Sequence, residues 1–134
     1  MPRREVLEVP GVRHTAPIPM AVAVGNMVFT SAIMGKDPAT GTLPADPEAQ
    51  AAWVFAHLRT VLRAAGCHPG DVGHVAVLVA DEAYRRQVDR EWLAMFPDER
   101  DRPARHTTVT QLRGGALIQI EAVAVRDQTT GEAQ

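Results

Sequence analysis

Apolar and polar residues alternate with a period that changes several times along this 134-residue chain, and each change marks an element. From Ala21 to Ile33 the run is β-rich on both sides of Gly25-Asn26, a pair that supplies the positive φ of a tight turn, so a hairpin is predicted. Gly35 to Pro44 is dense in turn formers and reads as a surface loop. The period then becomes helical. Val54, Phe55, Leu58, Val61, Leu62 and Ala65 recur at threes and fours, Asp46 suits an N-cap, Pro47 takes the favoured first position and Gly66 is placed as a stop, which predicts a helix over 47–65. Val75 to Ala80 is apolar without alternation, the pattern of a central strand covered on both faces. Asp81 caps a second helix whose buried face is Tyr84, Val88, Trp92, Met95 and Phe96 and which Pro97 ends, and an exposed charged loop follows over Asp98 to Arg102. Two more strands lie either side of a short turn at Gly114-Gly115, one ending at Val109 and the other at Val125.

Strand, strand, helix, strand, helix, strand, strand, with a short extra strand at Glu5 to Val9, describes an α+β domain: a single mixed six-stranded sheet with two helices on one face. One domain over 1–127 and a loose polar tail over 128–134 are expected. The other sheet face carries no helix, yet its strands are too apolar to face water, and oligomerisation is the natural way to bury it.

Composition narrows the partners. The net charge is −2, and thirteen arginines and one lysine are spread without a basic block. Only three Phe, two Trp and one Tyr are present, too few for a base-stacking platform, so nucleic acid is not expected. Cys67 is the single cysteine, which excludes an internal disulfide. No apolar run has signal-peptide length or reaches the ~20 residues needed to span a bilayer, so a cytoplasmic protein without membrane contact is expected. None of the five histidines has a second ligand at a recognised metal spacing, and Cys67, beside a helix end, reads as a small buried or half-exposed residue and not as a nucleophile.

The chemistry concentrates in the last third. Its two strands place Arg105 and Glu121 among apolar positions, and a charge there either bridges something structural or receives a ligand. The surrounding fragments are specific in combination: Val24-Gly25-Asn26-Met27-Val28-Phe29-Thr30-Ser31, Asp37-Pro38-Ala39-Thr40-Gly41, Gln50, Ala64-Ala65-Gly66, Pro103-Ala104-Arg105 and Gly115 to Val125. In this order, from about Ala16 to Val125, the chain resembles the reactive intermediate deaminase family, also called Rid or YjgF-like. The resemblance implies a chorismate-mutase-like homotrimer whose sheets line a central barrel, with active sites in clefts between subunits. It further implies cofactor-independent hydrolysis of small carboxylate-bearing 2-imino acids or their enamines to a 2-keto acid and ammonia.

Residue by residue, Arg105 matches the family arginine that grips the substrate carboxylate, a task suited to a planar guanidinium fork. The plain alternative is an arginine paired with an acidic neighbour. Thr107 would present its backbone N–H and hydroxyl to the same cleft, or be an ordinary strand residue. Ser31 matches a cleft serine, or is a satisfied hydroxyl near a strand end. Where the family reads Glu-Ile-Glu this chain has Gln119-Ile120-Glu121, so an amide occupies the water-activating position; it can orient water and cannot take its proton. Ile18, Met20 and Ile33 replace polar lining residues, implying a more apolar pocket, and Asp89 replaces an asparagine as a replacement acid or base or a solvated helix carboxylate.

Whether Glu121 takes over depends on register. With a three-residue loop, Arg113-Gly114-Gly115, a hairpin would pair Arg105 with Val123 and put Arg105, Gln119 and Glu121 on one face; a two-residue loop would move Arg105 to the other. Glu121 is catalytic or a structural ion-pair partner. His106 adjoins the arginine, and alternation points it to the opposite face. These readings favour imine hydrolysis with weakened or altered chemistry. The alternatives are a tailoring enzyme performing cyclisation, hydration or decarboxylation, and a non-enzymatic carboxylate-binding trimer.

Overall fold

The computed structural model describes residues 2–127, so the polar tail expected at 128–134 lies outside the described residues. Its strands are β1 (Arg4–Leu7), β2 (Ala21–Val24), β3 (Met27–Thr30), β4 (Ile33–Met34), β5 (Val72–Val79), β6 (Ala104–Val109) and β7 (Ile118–Val125); its helices are α1 (Pro47–Ala64) and α2 (Arg85–Met95). The α+β reading holds, with two helices against one mixed sheet. The predicted hairpin is β2–β3, turning at Gly25 with φ of +60°. Asp46 accepts from the Glu48 N–H at the start of α1, and Gly66 follows its end with φ of +75°. Asp81 caps a short 3-10 turn, Glu82–Tyr84, which leads into α2.

Two features of the sheet were not anticipated. The second hairpin strand is interrupted at Ser31-Ala32, giving β3 and then β4, both paired with β7. Thr30 fills the break, its hydroxyl accepting from the Ala122 N–H at 2.9 Å. More consequentially, β6 and β7 do not pair. The strand order is β1-β2-β3-β7-β5-β6, with β5 parallel to β6 and antiparallel to β7. A βαβ crossover through α2 accounts for this: a helix of eleven residues between two strands returns the chain for parallel pairing. β3 and β5 both run antiparallel to β7, so α1 is a second crossover with β7 inserted into its gap. Right-handed crossovers advancing in one direction put both helices on the same face.

That face holds the core. Val75, Val77 and Val79 of β5, and Ile118, Ile120, Ala122 and Ala124 of β7, are buried beneath Val54, Phe55, Leu58, Val61 and Leu62 of α1 and Val88, Trp92 and Met95 of α2. A bulge at Gly73 keeps Val72 in this layer while turning His74 outward, two residues later. The opposite face is open in the single chain and includes Val6, Met27, Phe29 and Val125 among its exposed side chains. β5 is therefore interior in the sheet but fully buried on one face only, Ala76 and Leu78 being half-buried on the other. Among the described residues no helix is long and apolar enough to cross a membrane.

Candidate functional site

The edge strand β6 and helix α2 build a polar cluster on the helix side of the sheet. Strand alternation sends Arg105 and Thr107 to the face shared with Val75 and Val77, their neighbours on β5. There Arg105 meets α2, where Asp89 and Trp92 are three residues apart and so lie on one helical face. The Arg105 Nη1 contacts Asp89 Oδ1 at 2.8 Å, its Nε donates to Thr107 Oγ1 at 2.9 Å, and its guanidinium carbon sits 5.0 Å from the centre of the Trp92 ring. The Arg105 side chain is 16% exposed and that of Asp89 53%. So half-solvated a pair contributes about 1 kcal/mol or less to stability, and the ring contact a similar amount. These contacts fix the plane of the guanidinium and leave Nη2 without a protein partner among the described residues.

The pairing with Asp89 realises the plain alternative for Arg105, but with a partner that reaches solvent. Thr107 orients the arginine through its hydroxyl. Trp92 was read from sequence only as core; the signal that could have singled it out was its three-residue spacing from Asp89 on a helix predicted to pack on the strand carrying Arg105.

Gln119 and Glu121 stand elsewhere. Both hairpin registers considered for β6 and β7 are superseded, because β5 separates the two strands. Arg105 faces the helices, while Gln119 and Glu121 lie on the helix-free face, where Gln119 is flanked by Met34 and Leu78 and Glu121 by Ala76. His106 is on that same face, opposite to Arg105 as alternation indicated, and one strand beyond Ala76 from Glu121. Glu121 is exposed and has no ion-pair partner among the described residues.

Ser31 sits in the break between β3 and β4, its hydroxyl donating to the Pro19 carbonyl at 2.8 Å, which ties the segment containing Ile18 to the sheet. Ile18 is exposed. Ile33 needs correction as an open lining residue: paired with Ile120, it points into the core and is 1% exposed. It borders, with Met20, Met34, His14 and His57, a cavity of about 230 Å³ between residues 11–15 and α1 that Arg105, Gln119 and Glu121 do not line. His57 has a structural role there, its Nε2–H donating to the Lys36 carbonyl at 2.6 Å while its ring stacks on Trp53. Burial pushes the Cys67 thiol above its ordinary pKa, reinforced by the Asp71 charge and opposed by Arg126.

The chain thus carries two separate groups of candidate residues, Arg105 with Thr107, Asp89 and Trp92 on one face, and Ser31, Gln119 and Glu121 about the other. The family described as Endoribonuclease L-PSP matches residues 13–126. The 2-iminobutanoate/2-iminopropanoate deaminase of Escherichia coli K12 is 35% identical over 112 residues, covering 82% of this chain and 88% of that protein. The crystal structure of the YjgF gene product from E. coli aligns with a TM-score of 0.81 at 31% identity, covering 91% of this chain and 98% of the other. That of E. coli TdcF with bound serine aligns with a TM-score of 0.84 at 27% identity, covering 92% and 99%. Sequence motifs, sheet topology and these likenesses agree, and the chain belongs to the Rid, or YjgF-like, reactive intermediate deaminase family.

Proposed function

We propose that this protein is a homotrimeric Rid-type enzyme that binds a small carboxylate-bearing imine or enamine through Arg105 and promotes its hydrolysis to a keto acid and ammonia. The observation that carries the reading is Arg105 itself: a guanidinium at the family's carboxylate-gripping position, held by Trp92, Thr107 and Asp89, with Nη2 without a protein partner among the described residues. The deaminase activity named for the E. coli relative supports the reaction class, and the serine held by TdcF supports a ligand of amino-acid size. No cofactor is required, because the imine carbon is already electrophilic and the protein need only hold it and direct water to it.

The two groups of residues motivate an intersubunit site. Within one chain Arg105 and Gln119 lie on opposite faces of the sheet, and the helix-free face carries apolar side chains that a neighbouring copy would cover. In the proposed assembly the edge strand β6 of one copy meets the segment of the next that bears Ser31, Ile18 and Gln119. Gln119 orients the attacking water through its amide and cannot accept a proton, so proton removal falls to solvent and hydrolysis is slow; Glu121, exposed two residues along, is the nearest carboxylate in sequence.

The test is release of keto acid from imines generated in situ by an amino-acid oxidase. Wild type accelerates it, and Arg105→Ala lowers kcat/KM by about 30- to 150-fold, the loss of a charge-assisted carboxylate contact of some 2–3 kcal/mol. Mixed oligomers of Arg105→Ala and Gln119→Ala chains recover activity if each site draws on two subunits. No acceleration with any small or bulky amino acid overturns the deaminase reading.

A further inference from the structure

The Asp89–Arg105 pair restricts which ligands the arginine accepts. We propose that Asp89 and Arg105 form a split receptor for a zwitterion, Arg105 taking the carboxylate and Asp89 the protonated α-nitrogen, and that Asp89 thereby excludes plain carboxylates, including the keto-acid product. This rests on Arg105 being the carboxylate anchor.

Asp89 Oδ1 lies 2.8 Å from Arg105 Nη1, so one arm of the fork that would grip a ligand carboxylate is already given to a carboxylate of the protein. A simple anion docking on Nη2 lands beside Asp89 and meets a like charge a few ångströms away, where Arg105 is mostly shielded from water. A ligand that also carries a cationic nitrogen turns that repulsion into attraction. In a 2-amino or 2-iminium acid the nitrogen and the carboxylate are joined through a single carbon, a spacing that matches an acidic and a basic group in hydrogen-bond contact. Asp89 is half exposed, so its second oxygen is open to such a nitrogen without rearrangement of α2. Trp92 and Thr107 hold the guanidinium in place, so the arginine does not swing toward an anion and away from Asp89.

The same geometry separates substrate from product. An iminium acid is a zwitterion and fits both charges. Its hydrolysis product keeps the carboxylate and has lost the nitrogen, leaving Asp89 opposed by a net anion. Asp89 is therefore a specificity-determining residue that weakens product binding, in a position where the family's usual asparagine carries no charge.

Isothermal titration with 2-aminobutanoate, a zwitterion that cannot be hydrolysed, and with 2-oxobutanoate, the plain anion, tests this on wild type, Asp89→Asn, Asp89→Ser and Arg105→Ala, each checked for native circular dichroism. The expected result is that wild type prefers the amino acid by about tenfold or more, the scale of one partly screened charge contact. Both Asp89 variants should abolish that preference by gaining affinity for the keto acid, and Arg105→Ala should lose both ligands. Equal affinities in wild type, or an unchanged ratio in both Asp89 variants, overturn the inference. So does loss of both ligands in natively folded Asp89 variants, which would make Asp89 a prop for Arg105. Binding of both ligands that survives Arg105→Ala, or no binding of either by wild type, is a different outcome and removes the carboxylate anchor itself.

Discussion

Gln119 stands where the family resemblance implies a water-activating glutamate, and it is the most direct residue to test. Gln119→Glu restores a general base on a side chain of nearly equal size, and kcat for imine hydrolysis should rise by about 10²-fold, read as keto-acid release. A rate that stays flat would show that water activation does not pass through this position. Cys67 makes a contrasting case: a buried thiol with no part in the proposed chemistry. Its folded pKa is raised above the unfolded value, so its contribution to stability is complete below the unfolded value and is lost as pH climbs through the folded one. Urea midpoints should therefore fall on the alkaline side of the thiol's ordinary range, and Cys67→Ala should flatten that decline. Arg105 and Glu121 were legible as unusual strand residues because charge among apolar neighbours is costly. That the arginine's acidic neighbour would be Asp89 was not legible, since α2 and β6 come together only through packing.

At the scale of elements, the tie between α1 and the loop leading into β7 depends on one buried amide. Gln50 is fully buried; its Nε2 donates to the carbonyls of Pro44 at 2.7 Å and Gly115 at 3.0 Å, and its Oε1 accepts from the Leu117 N–H at 2.8 Å. Gln50→Leu leaves three backbone groups unsatisfied and should cost about 3 kcal/mol in chemical denaturation. Gly35 makes the complementary contact. A Cβ there would overlap the Gln50 carbonyl, so Gly35→Ala should force β4 and α1 apart and destabilise by about 2 kcal/mol, with a lower thermal midpoint as the readout. The helices, the first hairpin and its Gly25 turn could be read in advance because caps, turn residues and periodicity are local signals. The last two strands were located correctly and paired wrongly. A Gly-Gly turn between two β-rich runs favours a hairpin locally, but the α2 crossover fixes β6 beside β5, and β7 enters between β3 and β5.

For the whole molecule, the proposed assembly rests on the helix-free face. Phe29 and Val125 flank the β3–β7 pair on that face, and both are more than a third exposed in the single chain. Phe29→Asp places a charge in the proposed interface and should shift the proposed trimer to monomer in light scattering, with keto-acid release falling in step because the proposed site spans two subunits. Retained trimers with full activity would place the interface elsewhere. By itself the sequence determined the two helices, the bounds of α1 to within a residue, most of the strands, the family and the candidate chemistry, since each is written in short-range pattern or motif. Only the tertiary structure decided that β5 parts Arg105 from Gln119 and Glu121, that Ile33 is core, and that Asp89 and Trp92 frame the arginine. Strand order and face depend on contacts between residues far apart in the chain, and a change of neighbour or a slip of one residue reassigns a side chain without altering any local signal.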